Sequence, residues 1–315
     1  MMTYMKSTTI REALKRASLS LKNAGIPRHN YEAGLLLAFC LEKDLVFIYT
    51  YPEKLLADED VKLYQRLVEK RSSGVPFHYL KGEREFMGLD FKVNPGVLIP
   101  RPETELVAET ALEWARTRTG DGETPITILD LGTGSGVLAV TLACMLPLSS
   151  LWATDISGKA LETARENAFR HGVKDRITFL QGDLWEPLES PGLTGLSDWQ
   201  EFQDFSGEHQ RELKFSIIVS NPPYIPTDQL EQLSPGVREQ EPLLALEGGP
   251  DGLDFYRGIF SKLHRFIDLP GVTVLEVGAG QCGQVSALAE KSGLFREVRV
   301  IKDYSGIERV VAACR

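Results

Sequence analysis

Along the first quarter of the chain, apolar residues return at steps of three and four. Ile10, Leu14, Ala17, Leu21 and Ala24 fall on one helix face, and Thr9 with Glu12 three places on forms a capping box that starts it. The runs YEAGLLLAFCLEK and EDVKLYQRLVEKR are bordered by Pro, Asp or Gly, so residues 1–75 are predicted to be a small helical bundle. From 76 to 100 the pattern shortens. Gly82, Gly88, Pro95 and Gly96 punctuate it, and the alternation in REFMGLDFKV predicts a β-hairpin linker. From 101 to 315 helical and strand patterns alternate, the signature of an α/β doubly wound parallel sheet. The predicted strands are ITILDL (126–131), SLWATD (150–155), RITFLQ (176–181), FSIIVS (215–220), VTVLEV (272–277) and EVRVIKD (297–303). Residues 186–214 break the rhythm. They carry seven acidic and two basic residues among scattered Pro, Gly and Ser, and are expected to form a solvated surface insertion.

At 315 residues, one larger and one smaller domain are expected. The net charge of -9 argues against a protein that coats nucleic acid, because phosphate binding is driven by Lys and Arg. Residues 1–75 run the other way, with 12 Lys and Arg against 9 Asp and Glu, a hint of a docking surface for an acidic partner. Cys40, Cys144, Cys282 and Cys314 lie far apart with no His at ligand spacing, so reduced thiols and no metal are expected. MMTYMKSTTIREALKR lacks the apolar run of a signal peptide, and no stretch approaches the roughly 18 apolar residues of a membrane span. A cytoplasmic protein is the expectation.

The first predicted strand runs into Gly132-Thr133-Gly134-Ser135-Gly136 and then into the apolar run VLAVTLACML. Glycine at a strand-to-helix turn lets the backbone approach a ligand lying over the carboxyl edge of the sheet. A dinucleotide fingerprint would need its third glycine at Val137, one place later than Gly136, so the loop suits a nucleoside without pyrophosphate. Asp155 closes the next strand, where a carboxylate can accept from both ribose hydroxyls or cap the following helix. Asp130 can orient the loop or reach the ammonium of a methionine moiety. A second run, Gly278-Ala279-Gly280-Gln281-Cys282-Gly283, does fit the dinucleotide spacing. Only 32 residues follow it, too few for half of such a domain, and it is assigned to sheet packing.

Asn221-Pro222-Pro223-Tyr224 stands at the carboxyl end of the fourth predicted strand. In a doubly wound order that strand neighbours the first, so both loops open into one crevice. The prolines fix φ and stiffen the turn. An amide or aromatic amino nitrogen is a poor nucleophile, because its lone pair is delocalised. If the Asn221 side-chain oxygen and the Pro222 carbonyl each accept one N–H, the nitrogen is presented for in-line transfer from a sulfonium methyl, with S-adenosylmethionine as donor. Tyr224 can lie against the planar group. Acceptors lacking those N–H groups would be rejected by about 10⁴-fold.

These residues, with GVPFHYLKGEREFMGLDFKV (74–93), LIPRPETELV (98–107), EPLLALEGGPDGLDFYR (241–257) and DYSGIER (303–309), make the chain resemble the bacterial glutamine methyltransferases of peptide-chain release factors. The likeness extends over nearly the whole length. It implies a seven-stranded Rossmann-like class I methyltransferase sheet, an N-terminal bundle that docks the release factor, and methylation of the glutamine side-chain nitrogen in a Gly-Gly-Gln loop. By position, Gly132 to Gly136 and Asp155 would hold S-adenosylmethionine, Asp183 and Leu184 would border its adenine, and Asn221, Pro222, Pro223 and Tyr224 would bind glutamine. Some relatives carry Trp directly after the Asp. Here Leu184 stands there and Trp185 follows, leaving open which covers the adenine. Arg101, Glu103 and Glu105 are open to two roles, a lid over the cofactor or acids that begin a helix. Alternative readings are a glutamine methyltransferase of a large-subunit ribosomal protein, an adenine-specific nucleic-acid methyltransferase and an inactive cofactor-binding scaffold.

Overall fold

The computed structural model describes residues 8–119, 124–189 and 213–315. Most of the expected surface insertion therefore lies outside the described residues. The chain divides into two compact units, Met1–Glu83 with Leu233–Gln240, and Arg84–Gln232 with Glu241–Arg315.

The first unit is helical: α1 (Ile10–Asn23), α2 (His29–Cys40), α3 (Leu45–Thr50), α4 (Asp58–Ser72) and α5 (Phe77–Lys81). The capping box forms as spaced, with Glu12 N donating to Thr9 Oγ1 and Thr9 N donating to Glu12 Oε2, each at 3.2 Å. Ile10, Ala17 and Leu21 of the predicted stripe are buried. Two polar ties hold α2 to α4: Tyr64 Oη donates to Ala33 O at 2.9 Å in the interior, and the half-buried Arg71 pairs with Glu32 at 3.0 Å. The short helices α3 and α5 escaped the sequence reading, since one or two turns give periodicity too little length to register.

The second unit opens with the hairpin β1 (Glu83–Phe86) and β2 (Leu89–Lys92). Phe86 and Phe91 leave the hairpin for the interior and meet edge-on at 6.0 Å, so this piece is packed core as well as connection. A 3-10 turn at Pro102–Thr104 leads into α6 (Glu105–Thr119). There follow β3 (Thr127–Leu131), α7 (Val137–Met145), β4 (Ser150–Asp155), α8 (Gly158–Arg170), β5 (Ile177–Gln181), β6 (Phe215–Ser220), β7 (Ile267–Glu276), β8 (Glu297–Lys302) and β9 (Glu308–Cys314), with further helices at Asp254–Phe266 and Cys282–Lys291.

Among the described residues seven strands form one sheet in the order β5-β4-β3-β6-β7-β9-β8. β3 to β7 are parallel, and β9 enters antiparallel between β7 and β8. This is the doubly wound α/β sheet that the sequence predicts. The residue reading picked out six of the strands. β9 was missed because VVAAC carries no polar alternation, Val310 and Ala312 being buried in the core on one face of the sheet and Val311 and Ala313 on the other. Side chains alternate across the sheet. Ile128, Ile217 and Val219 join the core under α6 and α7, whereas Leu129, Leu131 and Ile218 join Trp185, Tyr256 and Phe266 on the other face. With β6 hydrogen-bonded to β3, the turns that leave these two strands emerge side by side at the carboxyl edge. No helix among the described residues is long and apolar enough to cross a membrane.

Candidate functional site

The turn after β3 is held from below. Gly132 N and Thr133 N both donate to Thr154 O at 2.9 Å, and Thr133 Oγ1 donates to the buried carboxylate of Asp130 at 2.6 Å. The same Asp130 oxygen accepts Ala139 N at 3.2 Å in the first turns of α7, so this acid orients the loop. Burial pushes its carboxyl up to about 7, against the pull of the Thr133 and Ala139 hydrogen bonds. Gly132, Gly134 and Gly136 all sit at positive φ, but for different ends. A Cβ on Gly132 or Gly134 would meet nothing within 4 Å, whereas one on Gly136 would lie 3.0 Å from Ala164 Cβ in α8. The first two keep a cavity open, and the third lets two helices approach.

Asp155 closes β4 at the wall of that cavity. Its Oδ2 accepts Gly134 N at 2.9 Å and its Oδ1 accepts Ser157 N at 2.8 Å. Ser157 itself caps α8 through Ala160 N, so the capping role considered for Asp155 belongs to its neighbour. Burial raises the Asp155 carboxyl above the ordinary range, opposed by these two backbone hydrogen bonds. Each oxygen keeps a lone pair for a hydroxyl donor.

Asp183 and Leu184 line the same cavity beyond β5. Leu184 takes φ 44°, a left-handed turn that brings it to the cavity. Trp185 goes the other way. It is 2% exposed, stacks on Phe266 at 4.8 Å and donates Nε1 to Gly258 O at 3.0 Å. Of the two residues left open by the sequence, Leu184 faces the cavity.

Asn221, Pro222 and Pro223 form the adjacent wall, so the two glycine- and proline-shaped turns do share one cavity with Asp155. Gly136 and Tyr224 do not line it. Tyr224 stands behind the turn, where a Cβ added to Gly278 would lie 3.0 Å from its ring.

 Its phenol is raised well above the ordinary range by burial and by the nearby Glu276 carboxylate, so the ring serves as neutral packing. The turn is tied down on every side. Gln281 Nε2 donates to Tyr224 O at 2.9 Å, while Gln281 Oε1 accepts Gly278 N at 3.0 Å. The second glycine run therefore supports the Asn221-Pro222-Pro223-Tyr224 turn, which goes beyond the sheet packing assigned to it. Ile225 N donates to Leu246 O, and Gly248 N to Ile225 O. A Cβ on Gly248 would lie 2.8 Å from Pro223 O, which explains a glycine in LEGGPDG on steric grounds.

Two residues that sequence reasoning left out of the site support the cavity, Thr104 in its wall and Arg101 behind it. Thr104 lines it and accepts Asn221 Nδ2 at 3.0 Å, and its own hydroxyl donates to the buried Glu276 Oε2 at 2.6 Å. Burial pushes Glu276 up to about 7 against the Thr104 hydrogen bond. Arg101 bridges both oxygens of the buried Glu241 at 2.7 and 2.9 Å, which pins the segment carrying Leu98 and Pro100 to the rim at Pro242 and Leu244. Of the two roles weighed for Arg101, Glu103 and Glu105, opening a helix is the one seen, with Glu103 in the 3-10 turn and Glu105 at the start of α6, while the cavity is lined by Leu98, Pro100 and Thr104 of the same segment. The signal was present in the spelling of that segment, but no local rule ties it to Asn221, 117 positions away.

Comparison with known proteins shows the family. The chain is 40% identical to the release factor glutamine methyltransferase of Moorella thermoacetica, over 98% of this chain and 99% of the relative. It is 38% identical to the protein of the same name from Geobacter sulfurreducens, over 96% and 95%. The chain belongs to the release factor glutamine methyltransferase family. Residues 12–82 match the model of the PrmC N-terminal domain, and residues 123–202 match a methyltransferase domain. Among solved structures, the catalytic domain of human METTL16 in complex with an RNA hairpin aligns with a TM-score of 0.50 at 13% identity, covering 83% of each chain. That likeness concerns the fold alone, and it bears out the class I methyltransferase sheet that the resemblance implies.

Proposed function

We propose that this chain transfers the methyl group of S-adenosylmethionine to the side-chain amide nitrogen of the glutamine in a release factor's Gly-Gly-Gln loop. The observation that carries the proposal is that the glycine turn with Asp155 and the Asn221-Pro222-Pro223 turn open onto one cavity. Family membership supports both the reaction and the substrate.

The residues present fit the cofactor. Gly132 and Gly134 leave open the space that side chains would fill, and Asp155 offers acceptor capacity for two ribose hydroxyls. Asp183 and Leu184 offer a polar edge and an apolar face to a flat base. When bound, S-adenosylmethionine supplies an electrophilic methyl on a sulfonium. The protein's part is orientation: Asn221 Oδ1 and the Pro222 carbonyl each take one N–H of the glutamine amide, fixing its plane, and Pro223 keeps the turn rigid. Tyr224 supports the turn through its carbonyl bond to Gln281. Residues 1–75 are taken as the docking domain, 76–100 as linker and 101–315 as the transfer domain. A substrate of this kind places the protein in the cytoplasm.

The test is transfer of labelled methyl to a bacterial release factor, its loop Gln→Ala variant, a large-subunit ribosomal protein and a DNA duplex, each with purified protein. Label is expected on the intact release factor alone. Label on the duplex but not on the release factor would sink the proposal. Asn221→Ala should abolish transfer while leaving S-adenosylhomocysteine affinity within a few-fold, and equal loss of both would remove Asn221 from its role.

A further inference from the structure

The side chain of Asn221 can present either its oxygen or its nitrogen to a substrate, and only the oxygen can accept an amide N–H. What decides between the two is the chain of hydrogen bonds behind it. Asn221 Nδ2 donates to Thr104 Oγ1 at 3.0 Å, and Thr104 Oγ1 donates to Glu276 Oε2 at 2.6 Å. Thr104 and Glu276 are each 2% exposed. A hydroxyl has one proton. An ionised carboxylate accepts only, so it claims that proton and leaves Thr104 with lone pairs toward Asn221. The amide must then turn its nitrogen to Thr104, and Oδ1 is left for the substrate.

We propose that Thr104 and Glu276 are positioning residues for methyl transfer, a two-member relay in which the negative charge of Glu276 sets the orientation of the Asn221 amide. The inference rests on the reading of Asn221 as the acceptor-binding residue. Its logic is one of polarity. If Glu276 takes up a proton it can donate to Thr104, whose own proton then turns toward Asn221, and the amide inverts to offer Nδ2 where an acceptor is needed. A glutamine amide would meet a donor in place of an acceptor and would lose one of its two orienting contacts.

Charged and titratable groups around Glu276 come from several elements. Glu103 in the 3-10 turn raises its carboxyl, and Arg309 in β9 and Arg101 lower it, while Tyr224 and Tyr256 stand near as neutral phenols. Tyr256 Oη donates to the backbone oxygen of Glu276 at 2.8 Å, which fixes the end of β7 without competing for the carboxylate. Burial leaves the carboxyl titrating at about 7. The orientation of Asn221 is thereby made dependent on pH in the physiological range.

The experiment uses the full chain, a bacterial release factor and S-adenosylmethionine, with kcat, KM and S-adenosylhomocysteine affinity measured for wild type, Thr104→Val, Thr104→Ser, Glu276→Gln and Asn221→Ala. Thr104→Val, which keeps the shape and removes the hydroxyl, is expected to lower kcat by about 10²-fold with cofactor affinity unchanged. Thr104→Ser should recover kcat to within a few-fold. Wild-type kcat should rise with pH through about 7, and Glu276→Gln should flatten that rise. A Thr104→Val or Glu276→Gln enzyme with wild-type kcat and pH profile, beside an inactive Asn221→Ala, would overturn the relay alone. An active Asn221→Ala would overturn the reading on which it rests. Thr104→Ser and Glu276→Gln change so little bulk that the question stays answerable if Thr104→Val does not fold.

Discussion

Replacing Gln281 by Met would separate support of the Asn221-Pro222-Pro223-Tyr224 turn, the proposed acceptor site, from the proposed cofactor site. Methionine has nearly the same length and is flexible enough to fill the space, so the change removes polar groups and little packing. Gln281 is 9% exposed, and its amide accepts Gly278 N at 3.0 Å and donates to Tyr224 O at 2.9 Å. Each of the two partners is left to find another donor or acceptor away from water, at about 1–3 kcal/mol per group, so about 2–6 kcal/mol of stability is expected to go. The loss falls on the turn that carries Asn221. A displacement of about 1 Å there is enough to cost about 10²-fold in rate. Gln281 does not line the cavity, so cofactor affinity should stay within about two-fold. Urea unfolding, single-turnover methyl transfer and titration with S-adenosylhomocysteine measure the three quantities. Unchanged unfolding midpoint and rate would refute the argument, as would a rate loss matched by an equal loss of cofactor affinity.

The buried acid beneath the glycine turn makes a prediction about pH. Its carboxyl is raised from 3.8 to about 7 in the folded chain, so the stabilising difference is fully present below the unfolded value and is lost as pH rises to about 7. Asp130→Asn should flatten the fall in unfolding free energy over that window by up to ~1.4 kcal/mol per pH unit, and an unchanged slope in urea melts at several pH values would contradict it. Glu276 slopes the same way, which makes Glu276→Gln the matched control. At Gly136, an alanine would combine a left-handed backbone with a 3.0 Å approach to Ala164 Cβ. Gly136→Ala should therefore destabilise by about 2–3 kcal/mol, read as a lower thermal midpoint, and a wild-type midpoint would show that α7 and α8 tolerate the added methyl.

Much of the molecule was legible where chemistry is local. The capping box at Thr9 and Glu12 follows from a spacing of three, and six strands follow from apolar runs bounded by turn residues. The Gly132–Gly136 turn announced itself because a strand, three glycines and an apolar helix adjoin in sequence. Other features were illegible for physical reasons. β9 is covered on both faces, so it lacks the alternation that marks a half-buried strand. Trp185 and Leu184 are neighbours in sequence, and only the positive φ of Leu184 decides which faces the cavity and which stacks on Phe266.

The sequence by itself determined most of the elements, though not α3, α5 or β9, and the two turns that meet over the sheet, since periodicity, glycine and proline act within a few residues of themselves. It also determined the family, because LIPRPETE and EPLLALEGGPDGLDFYR are spelled out in it. Tertiary structure decided what stands behind the acceptor turn. Thr104, and Gln281 with Glu276, are brought to Asn221-Pro222-Pro223-Tyr224 from two distant parts of the chain. A buried hydrogen bond is fixed by which groups are excluded from water together, and that is a property of the packed sheet that no local pattern encodes.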